Sequence, residues 1–152
     1  MRIVLQRVQR ASVTVDNQIV GKVDAGLLAL IGLSRNDTEQ GFKTVIDKII
    51  KMRIFSNDKG RFDFSVQDIA GGILLVPQFT LFADTSRGRR PEFFSALEPK
   101  SAELLFDAFV AAFRAQCSLT VETGKFGADM KVELLNDGPV TIVFDTEAQP
   151  PS

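Results

Sequence analysis

The 152-residue sequence contains no histidine, tryptophan or tyrosine, and Cys117 is its single cysteine. Without histidine, Ser-His and Cys-His nucleophile pairs and imidazole ligands for a metal are excluded. One cysteine cannot form an intramolecular disulfide or a structural zinc site, and this fits a reducing compartment. If the chain is an enzyme, it works without the usual proton shuttle.

Long apolar runs and an excess of either charge are also missing. Arg2, Gln6 and Arg7 interrupt the first apolar run, so no secretory signal is expected, and no stretch reaches the ~18 apolar residues that span a bilayer. We therefore expect a cytosolic protein with no membrane partner. The formal net charge of -1 gives no general attraction to nucleic acid. DNA is not expected as a partner, and RNA would need a local basic patch.

The length and a hydrophobic content of 45% predict one domain, over residues 1–145, followed by a flexible tail over 146–152. Apolar residues at helical spacing predict two amphipathic helices, at about 38–52 and 99–116, the second beginning at Pro99. Asn36, Asp37 and Thr38 offer N-cap side chains for the first helix. Strands are predicted at about 2–10, 11–15, 18–23, 26–33, 53–55, 73–76, 119–122, 130–135 and 140–144. This pattern predicts an α/β or α+β domain with mixed sheets and both helices on one side, and the run 26–33 should be a central strand.

Two stretches join turn residues to these strands. Asn136-Asp137-Gly138-Pro139 separates two apolar runs, and we interpret it as the tip of a hairpin because proline does not fit inside a central strand. The sequence leaves the isomer of the Gly138-Pro139 peptide open. Pro77 marks the end of a buried strand and leads into Gln78-Phe79-Thr80-Leu81.

Thr80 is a candidate nucleophile, but no histidine can activate it, so a strand threonine bonded to backbone is the favoured interpretation. A site without acid-base side chains can still transfer an activated acyl group, because backbone N–H groups stabilise the oxyanion and the substrate supplies a hydroxyl and a positioned water. An ester is a suitable substrate. An amide is not, since its leaving group requires a proton.

Arg87, Arg89 and Arg90 fall within four residues of a polar loop. Their guanidinium groups match phosphate oxygens, so they are candidate tRNA-binding residues, although such a loop is equally often only solvated. The lysines of the first predicted helix form a second basic surface, which is either solvated or in contact with phosphate groups.

Four segments in chain order resemble one known family: Leu5 to Val13 (LQRVQRASV), Gln78 to Leu81 (QFTL), Gly124 to Met130 (GKFGADM) and Asn136 to Thr141 (NDGPVT). Each alone is a weak signal, but together they resemble D-aminoacyl-tRNA deacylase, over nearly the whole chain to about Phe144. The resemblance implies a single α/β domain with partly barrel-like sheets, in β/β/α layers.

The resemblance also implies a homodimeric hydrolase, without metal or other cofactor, that proofreads translation. It cleaves the ester between a D-amino acid, or glycine on tRNA(Ala), and the terminal ribose of tRNA, whose 2′-hydroxyl assists. Gly138 and Pro139 would form a cis peptide that enters the partner's pocket as a chiral filter, supported by Arg7. Catalytic residues Gln78, Phe79 and Thr80 would line the opposite wall, with backbone N–H groups facing the ester. Phe126 and Met130 would border the pocket.

Pro77 departs from the family pattern, which most often has serine there. A related deacylase that removes L-alanine from tRNA also has proline at this place, so an editing enzyme of relaxed chirality is one alternative. Phe79 and the Val140-Thr141 pair match the D-specific pattern instead. A second alternative is a non-catalytic RNA-binding module that uses the arginine loop and the lysines of the first helix.

Overall fold

The computed structural model describes residues 1–147, so residues 148–152 of the predicted tail lie outside the described residues. The elements in chain order are β1 (Arg2–Val15), β2 (Gln18–Val23), β3 (Gly26–Gly32), α1 (Phe42–Lys51), β4 (Phe55–Ser56), β5 (Phe62–Phe64), β6 (Gly72–Pro77), α2 (Pro99–Gln116), β7 (Val121–Thr123) and β8 (Lys131–Asp145). Two short 3₁₀ turns, Glu39–Gly41 and Phe79–Phe82, lie before α1 and after β6.

The main sheet is mixed and is built around β1. Its strand order is β2-β1-β3-β6-β7, and β8 pairs with the other edge of β1. β1 pairs antiparallel with β2, β3 and β8, whereas β6 pairs parallel with both β3 and β7. The prediction that β3 is central is confirmed, because it lies between β1 and β6 and its apolar side chains are buried on both faces.

The two faces of this sheet cover different cores. Both helices pack on one face, where the Phe42 ring of α1 meets the Phe109 ring of α2 at 5.1 Å between centroids. Within the curve of the sheet lies a second core, which includes Val13, Leu28 and Leu74. β2 comes so close to β7 that a Cβ on Gly21 would lie 2.4 Å from the Thr123 carbonyl oxygen. The sheet is therefore nearly closed, and the predicted partly barrel-like fold with helices on one side is confirmed.

The two helices begin in different ways. α2 begins at Pro99 as predicted, and the Glu98 carboxylate accepts hydrogen bonds from the backbone N–H groups of Lys100 and Ser101, each at 3.1 Å. α1 begins at Phe42, later than predicted, and no side chain caps it. The Asp37 carboxylate accepts bonds from the Ser34 N–H and the Met1 ammonium instead, so the predicted capping role is wrong for Asp37.

The predicted hairpin at Asn136 to Pro139 is also wrong. Leu135 pairs with Arg10 and Thr141 pairs with Gln6, so the strand segments on either side of this stretch both lie against β1 rather than against each other. The stretch is a bulge inside β8, where the five-residue step from Asn136 to Thr141 faces a two-residue step on β1. The reason is that β1 is itself one continuous strand of 14 residues, not the two strands predicted, and it offers a single long edge.

Candidate functional site

A cavity of about 680 Å³ opens at the carboxyl end of β6. Gln78 and Phe79 follow that strand, while Phe126 and Met130 come from the loop between β7 and β8, and all four line the cavity. The first turn of α2 closes a further side with Glu98 and Pro99. The structure thus brings together four residues that the sequence placed in one pocket, from segments about fifty residues apart.

The 3₁₀ turn after β6 begins beside this cavity, because Gln78 and Phe79 line it. The Gln78 N–H is bound to the Ile31 carbonyl at 2.8 Å, and the Gln78 carbonyl accepts from the Leu81 N–H at 3.2 Å. The first N–H groups of such a turn, those of Phe79 and Thr80, have no acceptor inside it and can serve a ligand.

Thr80 itself does not line the cavity, and its side chain is exposed. Its hydroxyl oxygen accepts a short hydrogen bond from the side-chain amide of Gln78. This partner is a donor and cannot take a proton from the hydroxyl, so the contact positions the Gln78 amide rather than activating Thr80.

Arg7 supports the bulge, as the resemblance implies. Its side chain is largely buried, and its Nε donates to the Asp137 carbonyl at 2.7 Å while Nη1 donates to the Ile54 carbonyl at 2.7 Å. The next peptide, Gly138-Pro139, is cis. A guanidinium held on two sides in this way gives the bulge a defined position relative to β1.

Asn136 is a second residue that holds the bulge, whereas the sequence pattern predicts only a turn residue at this position. Its Oδ1 accepts from the Val140 N–H at 2.7 Å, and its Nδ2 donates to the Thr141 hydroxyl at 3.0 Å. An asparagine ahead of a Gly-Pro pair was an available signal, because its amide can bond to nearby backbone on both sides of a turn.

The bulge and the cavity do not meet within one chain. Gly138 and Pro139 are exposed, and neither they nor Arg7 are among the described residues that line the cavity. Pro77 does line it, and it lies opposite Ile31 in the pairing of β3 with β6.

The three arginines lie on the segment that joins the 3₁₀ turn after β6 to Phe93. Asp84 and Glu92 exchange two backbone hydrogen bonds, at 2.7 and 3.0 Å, and so close the loop that carries Arg87, Arg89 and Arg90. All three side chains are exposed. The chain then returns to Phe93, whose ring packs on that of Phe79 at 5.0 Å between centroids.

The carboxylates near the cavity remain ionised at neutral pH. The backbone N–H groups of Lys100 and Ser101 lower the pKa of Glu98, and the hydroxyl and N–H of Ser86 lower that of Asp84. Among residues 1–147, no group of three or more His, Cys, Asp or Glu side chains is arranged to hold a metal ion.

Comparison with known proteins identifies the family. Residues 4–145 match the family model for D-Tyr-tRNA(Tyr) deacylase. The chain belongs to this deacylase family. A D-aminoacyl-tRNA deacylase from Thermosipho melanesiensis is 47% identical over 147 residues, 97% of this chain and 98% of that protein. Another, from Teredinibacter turnerae, is 49% identical over 146 residues, 96% of this chain and 100% of that protein. As the sequence predicts, the chain is an enzyme of the hydrolase class.

Solved structures of related proteins share this deacylase fold. The c-Myc DNA Unwinding Element Binding Protein superposes with a TM-score of 0.90 at 36% identity, covering 96% of this chain and 99% of that one. A probable eukaryotic D-amino acid tRNA deacylase has a TM-score of 0.82 at 18% identity, covering 94% and 97%, and this likeness concerns the fold alone. No helix within the described part of the chain is long and apolar enough to cross a bilayer.

Proposed function

We propose that the chain hydrolyses the ester of D-aminoacyl-tRNA to free D-amino acid and tRNA, and that it thereby proofreads chirality in translation. Relatives about half identical over nearly the whole chain carry this activity in their names. The single observation that carries the proposal is the cavity in which Gln78, Phe79, Phe126 and Met130 meet. Glycine, which has no side chain to reject, would be removed from tRNA(Ala) in the same cavity.

The chemistry follows from the donors available at the turn. Water adds to the carbonyl carbon of the ester, and negative charge develops on the carbonyl oxygen. The N–H groups of Phe79 and Thr80 donate hydrogen bonds to that oxygen. The carbon-oxygen bond to the ribose then breaks, and the neighbouring 2′-hydroxyl carries the proton of the water to the departing ribose oxygen. No side chain of the protein needs to change protonation, which agrees with the absence of histidine.

Chirality would be read by the bulge of a second subunit. Gly138 and Pro139 are exposed and lie apart from the cavity of their own chain, which supports their entry into the cavity of a partner in a symmetric dimer. Their main-chain carbonyls would hold the amino group of the substrate and leave no room for an L side chain, while Arg7 keeps the bulge in position.

The tRNA would approach over the arginine loop. Arg87, Arg89 and Arg90 are exposed on the segment that joins the 3₁₀ turn after β6 to Phe93, which supports a role for their charges in guiding the terminal nucleotide to the cavity. Phosphate contacts of this kind position an RNA without reading its sequence.

Parallel incubation of the purified protein with D-tyrosyl-tRNA and L-tyrosyl-tRNA tests the proposal. We expect rapid loss of the D ester and little loss of the L ester. Equal stability of both esters beside an active deacylase would refute it. Particle size measured over a range of protein concentrations tests the dimer, and a monomer that still removes only the D ester would contradict the cross-subunit filter.

Two alternatives give different results in the same assays. Pro77 lines the cavity and favours relaxed chirality, which predicts that L-alanyl-tRNA is hydrolysed about as fast as glycyl-tRNA. The exposed arginine loop favours a non-catalytic RNA-binding module, which predicts salt-dependent tRNA affinity with no loss of the acyl group.

A further inference from the structure

The small two-stranded sheet formed by β4 and β5 contacts Arg7 through the Ser56 hydroxyl. We propose that Ser56 and Phe62 of this sheet are positioning residues, which hold the Arg7 guanidinium and through it the Gly138-Pro139 bulge that selects the amino acid. The inference rests on the proposed function, because it assigns these residues a part in its chiral selection.

The contacts of Arg7 divide into two sets. On the bulge side, Nε donates to the Asp137 carbonyl at 2.7 Å. On the sheet side, Nη1 donates to the Ile54 carbonyl at 2.7 Å and to the Ser56 hydroxyl at 3.3 Å. The Arg7 side chain therefore bridges the small sheet and the bulge, and its position depends on both.

Phe62 of β5 also contacts Arg7. Its ring centroid lies 5.8 Å from the guanidinium carbon of Arg7, within the range of a cation–π contact. Phe62 is still 55% exposed, so this contact lies at the surface rather than inside the core. Because an uncovered guanidinium can turn outward to water, loss of this ring would weaken the bond from Nε to the Asp137 carbonyl.

The other groups near the Arg7 guanidinium are the Asp137 carboxylate and Gly138, and neither can hold it in place of Ser56 and Phe62. The Asp137 carboxylate is 3.8 Å from Nε and about half exposed, so water screens its attraction for Arg7. Nη2 lies beside Gly138, and a Cβ built on that glycine would come within 3.3 Å of it. A small movement of the guanidinium would therefore be felt directly at the bulge.

The chain supplies a matched control. Ser56 and Phe62 are opposite each other in the pairing of β4 with β5, while Phe64 lies opposite Phe55, one pair further along. Phe64 is also exposed, at 42%, but no cation–π contact joins it to Arg7 among the described residues. Phe64→Leu therefore removes an exposed ring from the same strand without touching Arg7.

The experiment compares Ser56→Ala, Phe62→Leu, Phe62→Tyr and Phe64→Leu for kcat/KM on D-tyrosyl-tRNA and L-tyrosyl-tRNA. Loss of one hydrogen bond or one cation–π contact should lower the D-to-L ratio about two- to fivefold in Ser56→Ala and Phe62→Leu. The change should arise from faster hydrolysis of the L ester. Phe62→Tyr keeps the ring face and should keep the ratio, as should Phe64→Leu.

A direct readout of the same link is proton exchange at the Arg7 Nε–H, measured by NMR. We expect slow exchange in the wild type, Phe62→Tyr and Phe64→Leu, and faster exchange in Ser56→Ala and Phe62→Leu. If these last two match Phe64→Leu in both the ratio and the exchange rate, the inference is overturned. If the wild type does not distinguish D from L, the proposed function fails instead, and the exchange rates alone decide whether the sheet holds Arg7.

Discussion

Asn136 accepts a hydrogen bond from the backbone N–H of Val140 across the four-residue step that contains Gly138 and Pro139, with 2.7 Å between Oδ1 and nitrogen. Its Nδ2 donates to the Thr141 hydroxyl at 3.0 Å, so one side chain bonds to the residues that follow the bulge through both of its polar atoms. The bulge is thus held by Arg7 at Asp137 and by Asn136 at its far end.

Asn136→Ala should loosen the bulge, because the buried Val140 N–H loses its acceptor. We expect the free energy of unfolding to fall by about 1–3 kcal/mol and the ratio of D to L hydrolysis to fall with it. Asn136→Asp keeps the acceptor oxygen, so its free energy of unfolding and its ratio of D to L hydrolysis should both fall less. Urea unfolding and parallel assays on the two tyrosyl esters measure the effects, and an unchanged ratio in Asn136→Ala would show that the bulge needs no such support.

Gly138→Ala should be far more damaging than a comparable change elsewhere. Gly138 has a φ of +148°, and an added Cβ would lie 2.8 Å from Cγ2 of Val140 and 2.9 Å from its nitrogen. Gly88 also has a positive φ, +67°, but nothing lies within 4 Å of its Cβ position. Gly88→Ala should therefore cost about 1 kcal/mol in the free energy of unfolding. Thermal unfolding of both variants tests the difference, and equal costs would contradict the close packing at Gly138.

Thr80→Ala should keep substantial activity. The Thr80 hydroxyl accepts from the Gln78 amide, and the backbone N–H that we assign to the oxyanion remains in the variant. We expect kcat on D-tyrosyl-tRNA to fall less than about tenfold, whereas removal of a true nucleophile costs about 10⁴-fold or more. Single-turnover rates with the folded variant make the measurement. An inactive Thr80→Ala protein that still binds tRNA would restore Thr80 as nucleophile.

Replacement of Arg87, Arg89 and Arg90 by glutamine should raise KM for aminoacyl-tRNA and leave kcat nearly unchanged. Each lost phosphate contact should reduce the slope of log affinity against log salt by about one. Lys43→Gln with Lys51→Gln is the control, since both lysines pair with Asp47 on α1, at 3.0 and 3.2 Å. If the control raises KM and the arginine variant does not, the RNA lies over α1 instead.

Asp145→Asn should change how stability depends on pH. Burial raises the pKa of Asp145, but the Glu147 N–H and the Arg2 guanidinium outweigh it and lower the pKa below its ordinary value. A lowered pKa stabilises the fold above the unfolded-state value, and that contribution is lost as the pH falls through the folded-state value. The wild type should therefore exceed the variant in stability at pH 7, with the difference shrinking between about pH 5 and about pH 2.

Asp129→Asn is the control for this pH dependence. Its partner is Lys131 at 2.9 Å, and both side chains are exposed, so the pair should contribute little at any pH. Urea midpoints over the same pH range compare the two variants. An equal response would show that the contact between Arg2 and Asp145, at 2.9 Å, has no special weight.

Some features of the fold can be predicted from short stretches of sequence, because residues close together in the chain determine them. The sequence predicts a central β3 because a continuous apolar run must be buried on both faces. It predicts the start of α2 because Pro99 suits the first turn of a helix. The prediction that Gln78 and Phe79 form one wall of the pocket rests on the resemblance of sequence motifs to a known family. The spacing of residues in the chain does not give it.

Other features required the pairing of distant strands. The hairpin interpretation of Asn136 to Pro139 used correct turn chemistry, but turn residues also suit a bulge, and only the register of β8 on β1 separates the two. The strand β5 was missed because three residues, Phe62–Phe64, are too few to show a period. The contacts of Arg7 with Ile54 and Ser56 join residues almost fifty positions apart.

The sequence by itself determined one class of chemistry that is excluded and the approximate places of both helices and most strands. The absence of histidine excludes acid-base catalysis by imidazole, and the periods of apolar residues predict which segments are buried. Only the tertiary structure decided where the bulge lies relative to the cavity and which side chains hold it. The reason is that the hydrogen bonds of Arg7 and the register of β8 on β1 join segments that are far apart in the sequence. Local sequence patterns carry no information about which distant segments will pair.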